Sequence, residues 1–471
     1  MTFQQIKLRT KSIIVSPDRA LMLIILSVSL ILMLIYIFRP TIIWWDSSIY
    51  IGMGKWLFSH GGVGYFEPSR PLLWPFVQGL IWKAGIDNQI TSRILEVFFA
   101  LGAIYVIYLI GERVKYGSGI IAAALLSVTP FFFSFTNVGL TDIPTIFFTL
   151  LAFYLLQKDL MVWSGFFAGL AFLFRFPHAL FIISIFLFFA TEFVIERNFT
   201  TTIKRALRFG IGSAILGIPF FISNYILYGD ILFPLKAGVV LVGIDPILQS
   251  QYFYYVTNIL SQNRLLIFAP LALIPLLRKS WRENLKERKH LIAIFLIALT
   301  YIVYFSHTPH KEIRYAIGFL PWIALLTGIG ISSLNFGKKT LLVLVTAGCI
   351  WLEIGNINHI KGELPLEPER SDYYEFFKNK NGKKVITSSP MILSVSDVKL
   401  IGVFDAWDGI LGSYTSQKEN SDYIALDTCG LSCSDGNCAS KDILLSKLKN
   451  EATVELERTV GNCKLSIYKV K

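Results

Sequence analysis

The sequence predicts an all-α polytopic membrane protein with a small extracytoplasmic α/β domain at its C-terminal end. Three observations predict it. Of 471 residues, 54% are apolar and 16% charged, with a mean hydropathy of +0.57, whereas soluble domains carry about 25% charged residues. Long apolar runs alternate with short clusters of Lys and Arg, as they do where basic loops are retained in the cytoplasm. Beyond residue 358 the composition changes, and ELPLEPERSDYYEFF opens a polar, Pro-bearing linker. The expected domains are therefore 1–358, in the membrane, and 359–471, outside it. The formal net charge of +12 does not call for nucleic acid, because the basic residues lie between apolar runs.

A membrane span takes about 20 apolar residues. Eleven spans are expected, at 20–38, 93–111, 118–135, 143–157, 160–174, 178–194, 209–227, 263–277, 290–306, 316–333 and 340–357. Met1 to Asp18 is polar and basic and the first run is long enough to span, so a retained first span is expected rather than a cleaved leader. Leu72 to Ala84 is apolar but too brief to cross, and is expected as an interfacial or re-entrant helix. With the N-terminus in the cytoplasm, the inside segments hold Lys7, Arg9, Lys11 and Arg19, then Arg113 and Lys115, then Lys158. Arg197, Lys204, Arg205 and Arg208 follow, then the run RKSWRENLKERK from Arg278 to Lys289, then Lys338 and Lys339. Counting Leu72 to Ala84 as a crossing would move that dense run outside. The outside segments are 39–92, Ser134 to Asp142, Tyr228 to Asn263, Phe305 to Tyr315 and the C-terminal domain. In that domain, β-branched runs predict strands at Lys384–Thr387, Lys399–Phe404 and Tyr423–Leu426. A helix at Lys441–Asn450 and a final pair of strands follow.

Tryptophans mark where a helix leaves hydrocarbon, and Trp44 and Trp45 stand directly before Asp46. The loop after them holds Tyr50, Lys55, His60, Glu67 and Arg70 and is far longer than the usual connection of about 4–6 residues. Asp46 is therefore a candidate catalytic base at the lipid–water boundary. The alternative is a helix cap. Asp142, before Ile143-Pro144, is the second candidate catalytic carboxylate, with an ordinary helix start as its alternative. His307, His310, Lys311, Glu312 and Arg314 form a dense polar cluster on the same predicted side, and Arg175 sits beside Pro177 and His178 between two spans. Cations of this kind stabilise a departing phosphate; snorkelling at a span end is the competing explanation. No Asp-x-Asp or Glu-x-Asp pair lies in an outside membrane loop, and no His pair has zincin spacing, so neither metal nor cofactor is expected. Cys429, Cys433, Cys438 and Cys463 lie in the predicted outer domain, where two disulfides are favoured over zinc. Four cysteines allow three pairings.

Taken together, these motifs resemble a known family. Trp45-Asp46-Ser47-Ser48-Ile49-Tyr50 after a first span resembles the GT-C membrane glycosyltransferases. Ser69-Arg70-Pro71-Leu72-Leu73 is similar to the Arg-Pro-Pro-Leu segment of the protein O-mannosyltransferase and lipid A aminoarabinose transferase branch, with Leu72 where the second proline is usual. Thr141-Asp142-Ile143-Pro144 and Gly169-Leu170-Ala171-Phe172-Leu173-Phe174-Arg175 resemble later segments of that branch. His310-Lys311-Glu312-Ile313-Arg314-Tyr315 is similar to the His-Lys-Glu-x-Arg-Phe motif of dolichyl-phosphate-mannose-dependent mannosyltransferases. The usual Asp-Glu pair of the first loop is Asp46-Ser47 here.

The resemblance implies a sugar donor on polyprenyl or dolichyl phosphate and transfer outside the cytoplasm with inversion, often without metal. The sugar is expected to be a hexose such as mannose, and the acceptor a lipid-linked glycan, a protein or a lipid. Asp46 and Asp142 would be catalytic. Lys311, Arg314, Arg175, His310 and Arg70 would hold the donor phosphate, and Glu67, Glu312 and Tyr50 would bind acceptor or support the site. A multi-pass plasma-membrane protein is expected. A ligase or polymerase of lipid-linked glycans is the near rival. A transporter or flippase would want charges near the bilayer midplane and repeated halves, and the sequence has neither. A sensor would use the outer domain alone. The basic clusters give a direct test of sidedness: a cysteine at Ser421 should be labelled by an impermeant thiol reagent added from outside, and one at Ser280 should not. Reversal of that pattern would overturn the topology.

Overall fold

The computed structural model describes residues 17–39, 44–244, 252–277, 285–308, 310–334, 338–362, 367–433 and 438–471. Lys7, Arg9 and Lys11, and the 278–284 part of the basic run, lie outside the described residues. The apolar runs are helical because hydrocarbon offers no partner for backbone N–H and C=O groups, and a helix satisfies them within itself. In chain order come α1 (Pro17–Ile37), α2 (Trp45–Phe58), α3 (Leu73–Lys83), α4 (Asn88–Val114), α5 (Ser118–Val128) and α6 (Pro130–Ser134). Then follow α7 (Asp142–Gln157), α8 (Met161–Phe174), α9 (Ala179–Glu196), α10 (Phe199–Tyr228), α11 (Phe233–Ile244) and α12 (Tyr254–Gln262). A 3-10 segment Arg264–Leu273 leads into α13 (Ile274–Leu277), followed by α14 (Leu285–His307), α15 (Leu320–Ser333) and α16 (Lys338–Gly362).

Every one of the eleven predicted spans falls on a helical segment. Among the described residues, five helices are long and apolar enough to cross a membrane, and seven if each bent pair counts as one span. One such bend, of 60°, separates α5 from α6 at Thr129-Pro130, where proline cannot continue the helix ladder. α10 starts ten residues before its predicted span, because the Asn198 side chain accepts the Thr201 N–H and caps a polar turn that hydropathy alone does not register. The Tyr228–Asn263 segment, expected as a loop, carries α11 and α12.

The described contacts divide the chain into two units. The first comprises residues 1–36, 96–137 and 141–362. Here α8 and α10 cross at Gly165 and Gly212, where an added Cβ would lie 1.9 Å from the Phe209 carbonyl and 2.0 Å from that of Val162. Small residues at such a crossing let backbones approach in a bilayer. Only 17% of the apolar window of α10 is buried within the protein, an exposure that suits hydrocarbon and not water. Ion pairs of this unit form a layer at each end of α7. Asp142 starts α7 and Gln157 ends it, about 22 Å apart at 1.5 Å per residue. At the Gln157 end, Arg113 donates to the Gln157 carbonyl, Arg205 pairs with Asp159 and Glu192, and Lys289 pairs with Glu192 and Glu196. The basic members of this layer all come from segments predicted to be cytoplasmic.

The second unit comprises residues 37–95, 138–140 and 363–471. Composition placed the boundary after 358, whereas packing groups α2 and α3 with the C-terminal residues. α3 buries Trp74, Gln78 and Ile81 and exposes Phe76 and Leu80, the two-faced pattern of a helix lying in an interface. The C-terminal residues add α17 (Pro368–Glu375), α18 (Trp407–Gln417) and α19 (Ala439–Glu451). Their strands are β1 (Lys384–Thr387), β2 (Lys399–Val403), β3 (Tyr423–Asp427), β4 (Ala452–Val460) and β5 (Cys463–Val470). The sheet order is β2-β1-β3-β5-β4, with β2, β1 and β3 parallel and β5 and β4 antiparallel. β3 is buried along its whole length, as a central strand requires.

Two disulfides join Cys429 to Cys463 and Cys433 to Cys438. The first spans 34 residues of sequence and the second 5. Chain entropy predicts about 4 kcal/mol for closing the longer loop and about 2 kcal/mol for the shorter. Non-reducing peptide mapping should therefore recover these two linkages, and a Cys429→Ser/Cys463→Ser protein should unfold at clearly lower denaturant than Cys433→Ser/Cys438→Ser. A Cys429–Cys433 or Cys438–Cys463 linkage would contradict the assignment.

Candidate active site

Asp46 lies in the first turn of α2, where a carboxylate meets the positive end of the helix dipole. It is not the cap: Trp44 holds that position and makes no side-chain cap hydrogen bond. Asp46 Oδ1 lies 2.9 Å from Arg70 Nη2, and Arg70 Nε lies 3.0 Å from Glu67 Oε2. Ser69 Oγ donates to the other Glu67 oxygen at 2.8 Å, and the Arg70 guanidinium covers the Tyr50 ring at 5.3 Å. The Asp46, Glu67 and Arg70 side chains are only 14–18% exposed. Burial by itself would lower the Arg70 pKa, but the Asp46 and Glu67 charges outweigh it and raise it well above its ordinary value. Four of the residues singled out from the sequence thus meet in one cluster of the second unit.

The first unit carries a parallel arrangement. Asp142 opens α7 and is 1% exposed. Its Oδ1 is ion-paired with Arg175 Nη1. Arg175 can reach it because α8 ends at Phe174 and Arg175 itself is extended, two residues before a proline that cannot continue the helix ladder. The Arg175 guanidinium lies 5.8 Å from the Tyr315 ring centroid, and Tyr315 stacks on Phe305 at 5.2 Å. In the same segment His310 Nε2 lies 2.8 Å from Glu312 Oε1, and Arg314 Nε lies 3.3 Å from Glu312 Oε2. Lys311 is 3% exposed, and its ammonium donates to the carbonyls of Ser306 and Thr308 at 2.9 and 2.8 Å. Lys311 therefore ties itself to the end of α14 at Ser306 and to Thr308 while adding positive charge there. His307 is exposed, with Nδ1 2.8 Å from the Val303 carbonyl.

Several neighbours were not singled out as site residues from sequence. His178 is buried, with Nδ1 3.1 Å from Thr149 Oγ1 and 2.9 Å from Tyr301 Oη. This three-residue network fixes the turn that carries Arg175. A histidine three residues after an arginine, across a helix-breaking proline, is the signal that could have found it.

Sequence comparison with curated proteins finds no match. Residues 69–223 match the family model described as dolichyl-phosphate-mannose-protein mannosyltransferase. Among solved structures, the chain is similar to ArnT from Cupriavidus metallidurans bound to undecaprenyl phosphate, with a TM-score of 0.68 and 11% identity over 94% of this chain and 97% of that one. It is also similar to the oligosaccharyltransferase AglB from Archaeoglobus fulgidus in complex with an inhibitory peptide and a dolichol-phosphate, with a TM-score of 0.61 and 13% identity over 86% and 69% of the two chains. The arabinofuranosyltransferase AftD from Mycobacteria gives a TM-score of 0.56 and 12% identity, covering 96% of this chain and 40% of that one.

A buried carboxylate left without its arginine costs about 3–5 kcal/mol. Arg175→Ala should therefore lower the unfolding midpoint sharply, and the double variant Arg175→Ala/Asp142→Ala should recover part of the loss. Equal stability of the single variant and the wild type would show that the pair is not carrying buried charge. The chain thus shares the fold of these membrane glycosyltransferase structures, and residues 69–223 match a mannosyltransferase family model.

Proposed function

We propose that the chain moves a sugar from a polyprenyl-phosphate donor to an acceptor hydroxyl at the extracytoplasmic membrane surface, with inversion. The observation that carries this reading is the Asp46–Arg70–Glu67 cluster, a carboxylate set at a helix start in a GT-C fold. Asp46 takes the hydroxyl proton as the acceptor oxygen attacks the anomeric carbon. The bond from that carbon to the phosphate oxygen breaks, and polyprenyl phosphate leaves. Arg175, Arg314, His310 and Lys311 offset the charge that develops on the phosphate, and Arg70 holds Asp46 in place. Asp142 orients Arg175 through their ion pair. Glu67, Glu312 and Tyr50 support these groups. The family match to dolichyl-phosphate-mannose-dependent enzymes supports mannose as the first donor to test. The basic layer at the Gln157 end of α7 supports a cytoplasmic N-terminus and an outer C-terminal domain in the plasma membrane.

Purified protein given a labelled polyprenyl-phosphate mannose should release polyprenyl phosphate and glycosylate an acceptor. Asp46→Asn keeps shape and hydrogen bonding but cannot take the proton, so turnover should fall about 10²–10⁴-fold with donor binding retained. Arg314→Ala should instead weaken donor use. Wild-type turnover in Asp46→Asn would send the search for the base to Asp142 or Glu67. Transport of the labelled lipid without sugar transfer would replace the enzyme reading with a flippase.

A further inference from the structure

Lys55 lies nine residues after Asp46 on α2, in the apolar stretch Gly52-Met53-Gly54-Lys55-Trp56. It is 4% exposed. Its ammonium donates to the carbonyls of Leu393 and Ser396 at 2.8 and 2.9 Å and lies 2.9 Å from Asp397 Oδ1. Trp82 Nε1 holds the same Asp397 oxygen at 3.0 Å. One turn earlier, a Cβ on Gly52 would lie 2.3 Å from the Leu393 side chain, so the missing Cβ lets Leu393 pack directly on the helix. One turn earlier again, the Ser48 and Ser394 hydroxyls meet at 2.8 Å. The loop after α2 continues the seam, with the Gly64 N–H donating to the Val398 carbonyl at 2.7 Å and the Leu400 N–H donating to the Gly64 carbonyl at 2.9 Å.

Ser48, Gly52 and Lys55 are spaced i, i+4, i+7 and form one face of the helix. Asp46 and Tyr50 lie at i, i+4 on another. At about 100° per residue, Ser48 is turned some 200° from Asp46. The 393–400 segment therefore grips α2 from the side away from the candidate base. Three contacts along one face fix both the rotation and the axial setting of the helix.

We propose that Lys55 is a positioning residue for transfer: its clamp on Leu393, Ser396 and Asp397 sets α2, and through α2 the Asp46 carboxylate, in the geometry that turnover requires. The proposal rests on the reading of Asp46 as the base. It gives the C-terminal residues a part in the reaction without touching substrate.

The test uses the full chain in nanodiscs with the polyprenyl-phosphate mannose donor. Displacing a reacting group by about 1 Å can cost on the order of 10²-fold, so Lys55→Met should lower kcat about 10–100-fold with donor KM within about twofold. In an Asp46→Asn background, Lys55→Met should cost less than about twofold more, because residues acting through one step are not additive. A Ser48→Cys/Ser394→Cys disulfide, formed where the two hydroxyls already touch, should restore most of the lost turnover to Lys55→Met. If Lys55→Met does not fold, Asp397→Asn with and without the cross-link takes its place. Wild-type kcat in a folded Lys55→Met protein would overturn the proposal. So would a further full loss in the Asp46→Asn background, or failure of the formed cross-link to rescue. Wild-type turnover in Asp46→Asn alone would refute the base assignment and, with it, the coupling of Lys55 to Asp46, whereas a slow Asp46→Asn beside a wild-type Lys55→Met would refute the clamp and leave the base standing.

Discussion

A carboxylate withdrawn from water must keep a cation beside it, and this constraint organises both units. Asp142 is 1% exposed and paired with Arg175; Asp46 is mostly buried and paired with Arg70. Leaving either charge uncompensated would cost several kcal/mol, a large fraction of the stability of an ordinary domain. The local folds serve these pairs. α8 ends at Phe174 so that Arg175 can turn back to Asp142, and Arg70 stands three residues after Glu67 so that one guanidinium spans two carboxylates. Both aspartates also sit in the first turn of a helix, where the dipole favours them by about 0.3–1 kcal/mol. Starting a helix and serving chemistry are therefore compatible roles for the same residue.

Much of this could be read in the sequence. Apolar length located helical segments because a helix is what hydrocarbon permits. β-branched runs found β1, β2 and β3 nearly to the residue. The candidate site residues were read as residue types near a predicted membrane boundary. Their pairing was not: that Asp46 meets Arg70 and Glu67, 24 and 21 residues away, depends on how the loop closes, and no local pattern encodes it. Lys311 shows the same limit. Its charge suggested phosphate, whereas its ammonium is engaged with two carbonyls of its own turn.

The least legible feature was the grouping of α2 and α3 with residues more than 300 positions later. Composition divides a chain where polarity changes, so it drew a line after 358. Packing divides it where contacts thin out. The one local hint was Lys55, a lone cation in an apolar helix. Such a lysine is rarely buried without partners, and here the partners are two carbonyls and a carboxylate from the 393–397 segment. Burial lowers the Lys55 pKa and Asp397 opposes that effect, so the distant segment favours the ammonium form as well as holding its position.

That dependence bears on how the outer residues can be read. A sensor domain joined to passive spans would need few contacts with the membrane-boundary loop. Here the loop and the C-terminal residues share a polar seam from Ser48–Ser394 to Lys55–Asp397 and a backbone bridge at Gly64 and Leu400. Separating them would expose a buried ammonium, an aspartate and several unpaired carbonyls and N–H groups at once, each with its own desolvation cost. The candidate base is thus carried on a helix whose rear face belongs to the C-terminal residues. The two are packed as one part, through Ser48–Ser394, Lys55–Asp397 and the Gly64 bridge.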